Sequence, residues 1–224
     1  MFTRQVLAIL TKDLKVEWRT REIFTSMVVF AMLVVVVFNF AIGANPELIQ
    51  QVAPGVLWVA LLFATVLGLQ RAVQMENEED CLQGLLLTMG DRSALFVAKT
   101  VANMLYLFIV AACTLPLFGI WLHMDIASHL APLSLILMLG MLGFSALGTL
   151  FSIIALNTRA QAVMLPLLFL PVSVPLMIAS VYATSKIVEG RGFAEITDYL
   201  TLMTVFDIVF FVLAFLVFDY IIEE

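Results

Sequence analysis

The sequence contains few charged residues, few cysteines and few histidines. Only 12% of its 224 residues are charged, whereas 63% are hydrophobic; a soluble domain averages about 25% charged residues. This composition excludes a soluble globule and indicates an integral membrane protein. The formal net charge of −6 disfavours nucleic acid as a partner, because phosphate binding requires clustered lysine and arginine. The two cysteines, Cys81 and Cys113, give no disulfide framework, and we interpret both as small hydrophobic residues.

Motifs of nucleotide, metal and catalytic sites are also missing from the sequence. There is no G-x-x-x-x-G-K-[ST] loop to hold a triphosphate, no H-E-x-x-H and no cysteine or histidine cluster with metal spacing. A Gly-Phe-Ser-Ala-Leu-Gly stretch around Ser145 loosely resembles an intramembrane nucleophile, but it has no base nearby. Gly148 and Ser152 in the same region are better explained by close helix packing. We therefore expect a non-catalytic subunit.

Six apolar runs are long enough to cross a bilayer, which takes about 20 mostly apolar residues. The predicted spans are residues 23–43, 53–73, 95–121, 132–156, 162–184 and 199–222. The predicted fold class is an all-α integral membrane protein with six transmembrane helices, forming a single permease domain over residues 1–224.

Lysine and arginine fall mostly on one side of these spans. Nine lie before span one, around the loop between spans two and three, and in the loop between spans four and five: Arg4, Lys12, Lys15, Arg19, Arg21, Arg71, Arg92, Lys99 and Arg159. Only Lys186 and Arg191 lie on the other side. The positive-inside rule therefore predicts that both termini and the loop between spans two and three are cytoplasmic.

The segment before span one has a helical apolar pattern. Leu7, Leu10, Leu14 and Trp18 are spaced by three, four and four residues, so they share one helical face. Charges fill much of the remaining surface, which predicts an amphipathic helix within residues 1–22, at the cytoplasmic interface, with Trp18 near the lipid headgroups. The alternative is a segment that serves only as an orientation signal.

A second amphipathic pattern lies between spans two and three. Acidic residues come first and apolar residues follow on one face: Glu76, Glu78, Glu79 and Asp80, then Leu82, Leu85, Leu86 and Met89. Acids favour a helix N-terminus, and Gly90 is a suitable end. The pattern predicts a short cytoplasmic helix that docks on a protein with a basic rim, since anionic lipid would repel the acids. A solvated loop is the alternative.

Several polar residues and prolines fall within or beside the spans. Asp207 in span six is expected to face protein or water, and Lys186 and Arg191 on the same side could pair with it; a functional and a purely structural carboxylate both remain open. Asn39 and Asn103 are predicted to hydrogen-bond between helices. Span five carries three prolines, which predict either a bent helix with a packing or conformational role or a static kink: Pro166, Pro171 and Pro175.

The two histidines lie together in the outer loop between spans three and four. His123 and His129 are weak candidates for haem ligation or for a pH switch. Their spacing of six residues does not place them on one helical face, so solvated loop residues are the alternative.

Several blocks of the sequence resemble a known family. They are VAPGVLWVALLFATVLGLQR at 52–71, the acidic segment after it, LFVAKT at 95–100 and PLLFLPVSVPLMIAS at 166–180. Together they are similar to permease B of cytochrome c maturation, the haem exporter protein B family. The resemblance covers nearly the whole chain, and the Ala-Pro-Gly-x-x-Trp block at 53–58 is its most specific part.

This resemblance implies a type II ABC-exporter membrane subunit in the bacterial cytoplasmic membrane. Its partners would be a separate ATPase (cytochrome c maturation protein A), proteins C and D, the periplasmic haem chaperone protein E and a second copy of the chain. ATP and Mg would bind to the ATPase and haem would be handled by the complex, so that no cofactor is assigned to this chain itself. ATP hydrolysis would release the haem-loaded chaperone or drive haem export.

The resemblance also implies which residues meet the ATPase. They are the coupling segment residues Glu78, Glu79, Asp80, Leu82, Gln83, Leu85 and Leu86. Asp80 and Gln83 depart from the glycine and glutamate usual in the family, so the contact can differ in detail. Two other functions remain open: a generic type II exporter of lipid, glycan or drug, and a membrane scaffold that transports nothing.

Overall fold

The computed structural model describes residues 2–43, 45–78, 93–121, 130–156 and 160–221. These residues form seven α-helices, without any β-strand in the described ranges. The helices are α1 (Phe2–Thr20), α2 (Glu22–Ile42), α3 (Pro46–Glu78), α4 (Ser93–Trp121), α5 (Leu130–Leu156), α6 (Gln161–Val188) and α7 (Thr197–Ile221), with a 3₁₀ turn at Phe193–Ile196 before α7.

Six of these helices are long and apolar enough to span a membrane, which confirms the predicted number of spans. The candidate spans are Glu22–Ile42, Glu47–Met75, Ser93–Ile120, Leu130–Ala155, Ala162–Val188 and Phe193–Val217. The second begins earlier than the predicted residue 53, because Asn45 caps it: Asn45 Oδ1 accepts hydrogen bonds from the N–H groups of Glu47 and Leu48 at 3.2 and 3.3 Å. The cap satisfies the first donors of α3, so the helix extends through polar residues that hydropathy alone would exclude.

Helix α3 lies at the centre of the bundle. In the most apolar 18-residue stretch of the span Glu47–Met75, 72% is buried in the protein, against 22% in the corresponding stretch of the span Phe193–Val217. Glycines allow its neighbours to come close: Met27 of α2 fills the space beside Gly68, and Leu69 of α3 fills the space beside Gly148 of α5. The predicted packing role of Gly148 is therefore confirmed. Helices α2, α6 and α7 instead expose long apolar faces, as expected of surfaces that contact lipid.

Helix α1 packs on the bundle through a side that includes part of its predicted leucine stripe. Ile9 is buried with Leu95 and Phe96 of α4, and Glu17 is also buried. In the predicted stripe, Leu10 and Leu14 are only half-buried, while Leu7 and Trp18 are 61% and 80% exposed. One side of α1 therefore packs on protein, while the outer part of its apolar stripe, with Leu7 and Trp18, is exposed.

Candidate functional site

The predicted coupling segment is described only at its two ends. Glu78 is the last residue of α3, and α4 begins at Ser93. The other predicted coupling residues and both histidines lie outside the described residues: Glu79, Asp80, Leu82, Gln83, Leu85, Leu86, His123 and His129. The described structure therefore shows what holds the two helices that flank this segment: α2 contacts α3, and α1 contacts α4.

An ion pair fixes α1 to the beginning of α4. Lys99 Nζ lies 3.0 Å from Asp13 Oδ2, and Lys12 Nζ lies 3.2 Å from Asp13 Oδ1. The Asp13 and Lys99 side chains are only 11% and 15% exposed. Water screens such a pair much less than it screens a surface pair, and removal of one partner leaves a poorly solvated charge.

Glu17 holds the corner where α1 meets α2. The corner is a single residue, Arg21, in the left-handed conformation with φ 57°, and its N–H donates to the Glu17 carbonyl oxygen at 2.7 Å. Arg21 gives α2 no side-chain cap. Instead, Glu17 Oε1 accepts a hydrogen bond from the Phe24 N–H at 2.7 Å, so a carboxylate from the preceding helix does the work of the cap. Burial raises the pKa of Glu17, and the hydrogen bond from Phe24 opposes that rise in part.

A third polar contact joins α2 to the end of α3. Glu22 pairs with Arg71, whose Nη1 also donates to Gln74 Oε1 at 3.3 Å. Between α1, α2, α3 and α4 lies a cavity of about 60 Å³. Its lining is mostly polar on the α1 and α4 sides and includes Lys12, Asp13, Glu17, Lys99, Asn103 and Tyr106.

The centre of the bundle is organised around Trp58. The indole Nε1–H donates to Thr184 Oγ1 of α6 at 2.9 Å, and the Thr184 hydroxyl donates in turn to the Ser180 carbonyl at 2.8 Å. The ring itself packs over Gly140 of α5, where a side chain would overlap it, and meets Phe144 edge-on at 6.0 Å between centroids. Trp58 thereby ties α3 to both α5 and α6.

Asp207 is buried between α5, α6 and α7. It is 4% exposed and lies against Gly143 and Leu176. Neither of its carboxylate oxygens has a hydrogen-bond partner within the described residues.

Asp207 pairs with neither Lys186 nor Arg191, its two possible partners on the same predicted side. Lys186 lies 3.8 Å from Glu189, and Arg191 lies 3.6 Å from Glu189 and 3.7 Å from Glu195. The reason is depth: Asp207 is well inside α7, whereas both cations lie around the end of α6 with glutamates of the same turn beside them.

The three prolines of α6 lie within one continuous helix, Gln161–Val188. Pro166 has no N–H to give to the Ala162 carbonyl, and Gln70 Nε2 of α3 donates to that carbonyl instead at 2.8 Å. A neighbouring helix thus satisfies the carbonyl that Pro166 leaves free.

The two asparagines have different outcomes. Asn103 Nδ2 donates to Thr149 Oγ1 of α5 at 3.0 Å, as predicted. Asn39, half-buried near the end of α2, makes no side-chain hydrogen bond to any described residue.

Sequence reasoning missed the inner face of α1. Asp13 and Glu17 were treated as part of its charged, water-facing surface, yet they are four residues apart and share one face. Two acids on one face of an otherwise basic helix are the signal that could have shown a protein-facing side. The Trp58–Thr184 bond joins residues 126 positions apart in the chain, and no local pattern indicates it.

The model of the family described as CcmB protein matches residues 4–222 of this chain. The chain belongs to the CcmB protein family. Curated relatives named heme exporter protein B include those of Rhodobacter capsulatus, 28% identical over 82% of this chain and 84% of its own length, and of Haemophilus influenzae, 27% identical over 83% and 82%. The Pseudomonas aeruginosa relative of the same name is 26% identical over 81% of each chain. The CcmB resemblance inferred from the residues is thereby confirmed, and it covers all six spans.

Proposed function

We propose that this chain is the membrane permease subunit of an ABC transporter complex that acts in cytochrome c maturation. The observation that carries the proposal is the CcmB family match over residues 4–222, together with relatives named heme exporter protein B that align with most of the chain. Six helices able to span a membrane provide the permease body.

The energy for its cycle comes from a separate ABC ATPase, which binds ATP and Mg and docks on the coupling segment. Residues 79–92 follow α3 and precede α4, and the packing of α1 beside the start of α4 supports a docking site near α1. Both termini and this end of the bundle face the cytoplasm of a bacterium, as the distribution of lysine and arginine supports. The open apolar face of α1, with Leu7 and Trp18, lies in the headgroup region of the cytoplasmic leaflet.

The output of the cycle is a change at the opposite end of the bundle. There it releases the haem-loaded periplasmic chaperone, protein E, from an assembly that also holds proteins C and D and a second copy of this chain. On that side lies the turn that follows α6. It carries an exposed ion-pair network of Lys186, Glu189, Arg191 and Glu195.

A purified complex tests the coupling proposal directly. Leu82→Asp with Leu85→Asp would place two charges on the predicted docking face, and Leu82→Ile with Leu85→Ile is the matched control that keeps the face apolar. We expect the ATPase to co-purify with the control but not with the aspartate variant. Retention of the ATPase by the aspartate variant would remove this segment as the docking site.

A second readout separates transport-linked coupling from a scaffold. With the wild-type complex, chaperone release is expected to require ATP hydrolysis. Release that proceeds equally with a non-hydrolysable ATP analogue would favour the scaffold instead.

A further inference from the structure

Three polar contacts connect the two ends of the coupling segment through α1 and α2. From α3, Arg71 pairs with Glu22 of α2; at the start of α2, the Phe24 N–H bonds to Glu17 of α1; from α1, Asp13 pairs with Lys99 of α4. We call this set of three contacts the polar clamp. Because Arg71 lies seven residues before the end of α3 and Lys99 six residues after the start of α4, the clamp joins the two helices that flank the coupling segment.

Two of the three contacts of the polar clamp are largely buried. Glu17 is 94% buried, since its relative exposure is 6%, and the Asp13–Lys99 pair is almost as deep. A helix that served only as an interfacial anchor would turn its acids towards water. Here both acids of α1 point into the protein, and each is bound to a different transmembrane helix.

The corner between α1 and α2 is also held rigidly. Glu17 binds the start of α2 through both its carbonyl oxygen and its carboxylate, and only Arg21 separates α1 from α2. With one residue between them, α1 has little freedom to swing while α2 stays in place. A displacement of α1 is therefore passed on to α2, which spans the bundle from this end to the other.

We propose that the polar clamp makes α1 a transmission element: it moves together with the coupling segment and carries that displacement to α2. This inference rests on the proposed function, because it supposes an ATPase that pushes on the coupling segment. Asp13, Glu17 and Lys99 are then positioning residues whose contacts persist throughout the cycle. Their role is to convert ATP hydrolysis into movement, and the ATPase can bind and hydrolyse without them.

The test compares coupling with hydrolysis in the complex reconstituted in nanodiscs. Asp13→Asn keeps the size and polarity of the side chain and removes the charge that pairs with Lys99. The control is Glu47→Gln, which removes an exposed charge at the start of α3, at the far end of that helix from Arg71. For Asp13→Asn we expect ATP hydrolysis close to wild type and chaperone release per ATP reduced about 3- to 30-fold, the range typical of residues that carry coupling. For the control we expect no change in either quantity.

A charge exchange and a cross-link between positions 13 and 99 provide two further tests of the proposal. Asp13→Lys with Lys99→Asp restores the ion pair in reverse and should recover release per ATP. In a background with Cys81→Ser and Cys113→Ser, a short thiol cross-linker between Asp13→Cys and Lys99→Cys should leave release intact, because the clamp moves as a unit. Wild-type release per ATP in Asp13→Asn, or a block of release by the cross-link that reduction reverses, would overturn the proposal. Absence of ATP-dependent release from the wild-type complex would instead contradict the proposed function.

Discussion

The hydrogen bond from Trp58 to Thr184 allows a quantitative test of what holds α3 at the centre. Thr184→Val keeps the shape of the side chain but removes the acceptor, so that the indole N–H, 2.9 Å from Oγ1 in the native protein, is left buried and unpaired. An unsatisfied buried donor costs about 1–3 kcal/mol. Trp58→Phe removes the donor and also shrinks a ring with no exposed surface, so it should cost more than the loss of the hydrogen bond alone.

The assay is a double-mutant cycle on reversible unfolding in mixed detergent micelles. Hydrogen bonds between transmembrane helices average about 0.6 kcal/mol and reach about 1.7 kcal/mol in such cycles. We expect a coupling energy in this range between Trp58→Phe and Thr184→Val. Thr201→Val is the matched control, because its hydroxyl only bonds the Thr197 carbonyl of its own exposed helix face, and it should shift stability by less than about 0.5 kcal/mol. A coupling energy indistinguishable from zero would refute the assignment of Trp58 as a tie between α3 and α6.

Three further predictions follow from single positions. Gly148→Ala is expected to destabilise the fold by about 1–3 kcal/mol, because Leu69 already occupies the space of the added methyl group; an unchanged unfolding midpoint would show that this helix contact can relax. Burial raises the pKa of Glu17 above its ordinary value of 4.5, so the folded state binds the proton more tightly and its stability should fall as pH rises from 4.5 through the folded pKa. Glu17→Gln should reduce that pH dependence in thermal unfolding, and an identical slope for the two proteins would contradict it. An impermeant maleimide should label Cys81 only after spheroplasts are permeabilised, with Ser128→Cys in the outer loop as the positive control; labelling of Cys81 from outside would reverse the topology.

The spans and several of their contacts could be predicted from the sequence because they depend on local composition. Length and hydropathy are enough to identify six helices, and Gly148 and Asn103 are residue types whose presence in an apolar helix has few explanations. The exact ends of the helices could not be predicted in the same way. Capping by Asn45 and the continuation of α3 to Glu78 depend on hydrogen bonds and not on hydropathy.

Contacts between distant segments account for the failures. Asp207 had possible cationic partners on the same predicted side, but side alone does not fix depth along the helix. The leucine stripe of α1 predicted which face is apolar, but not that the protein-facing side combines Leu10 and Leu14 with Ile9, Asp13 and Glu17. Such a choice between two usable faces is made by the neighbouring helices, whose positions no single segment encodes.

The length of α3 has a mechanical consequence. Its 33 residues measure about 50 Å at 1.5 Å per residue, whereas the hydrocarbon core is about 30 Å thick. If the crowded contact of Trp58 with α5 is the fulcrum, Glu78 stands about 30 Å away along the axis. A tilt of about 10° there would move the far end sideways by about 5 Å, roughly the pitch of one helical turn. A small tilt of α3 at Trp58 and a large displacement of its end at Glu78 are thus the same motion, so α3 can act as a lever between them.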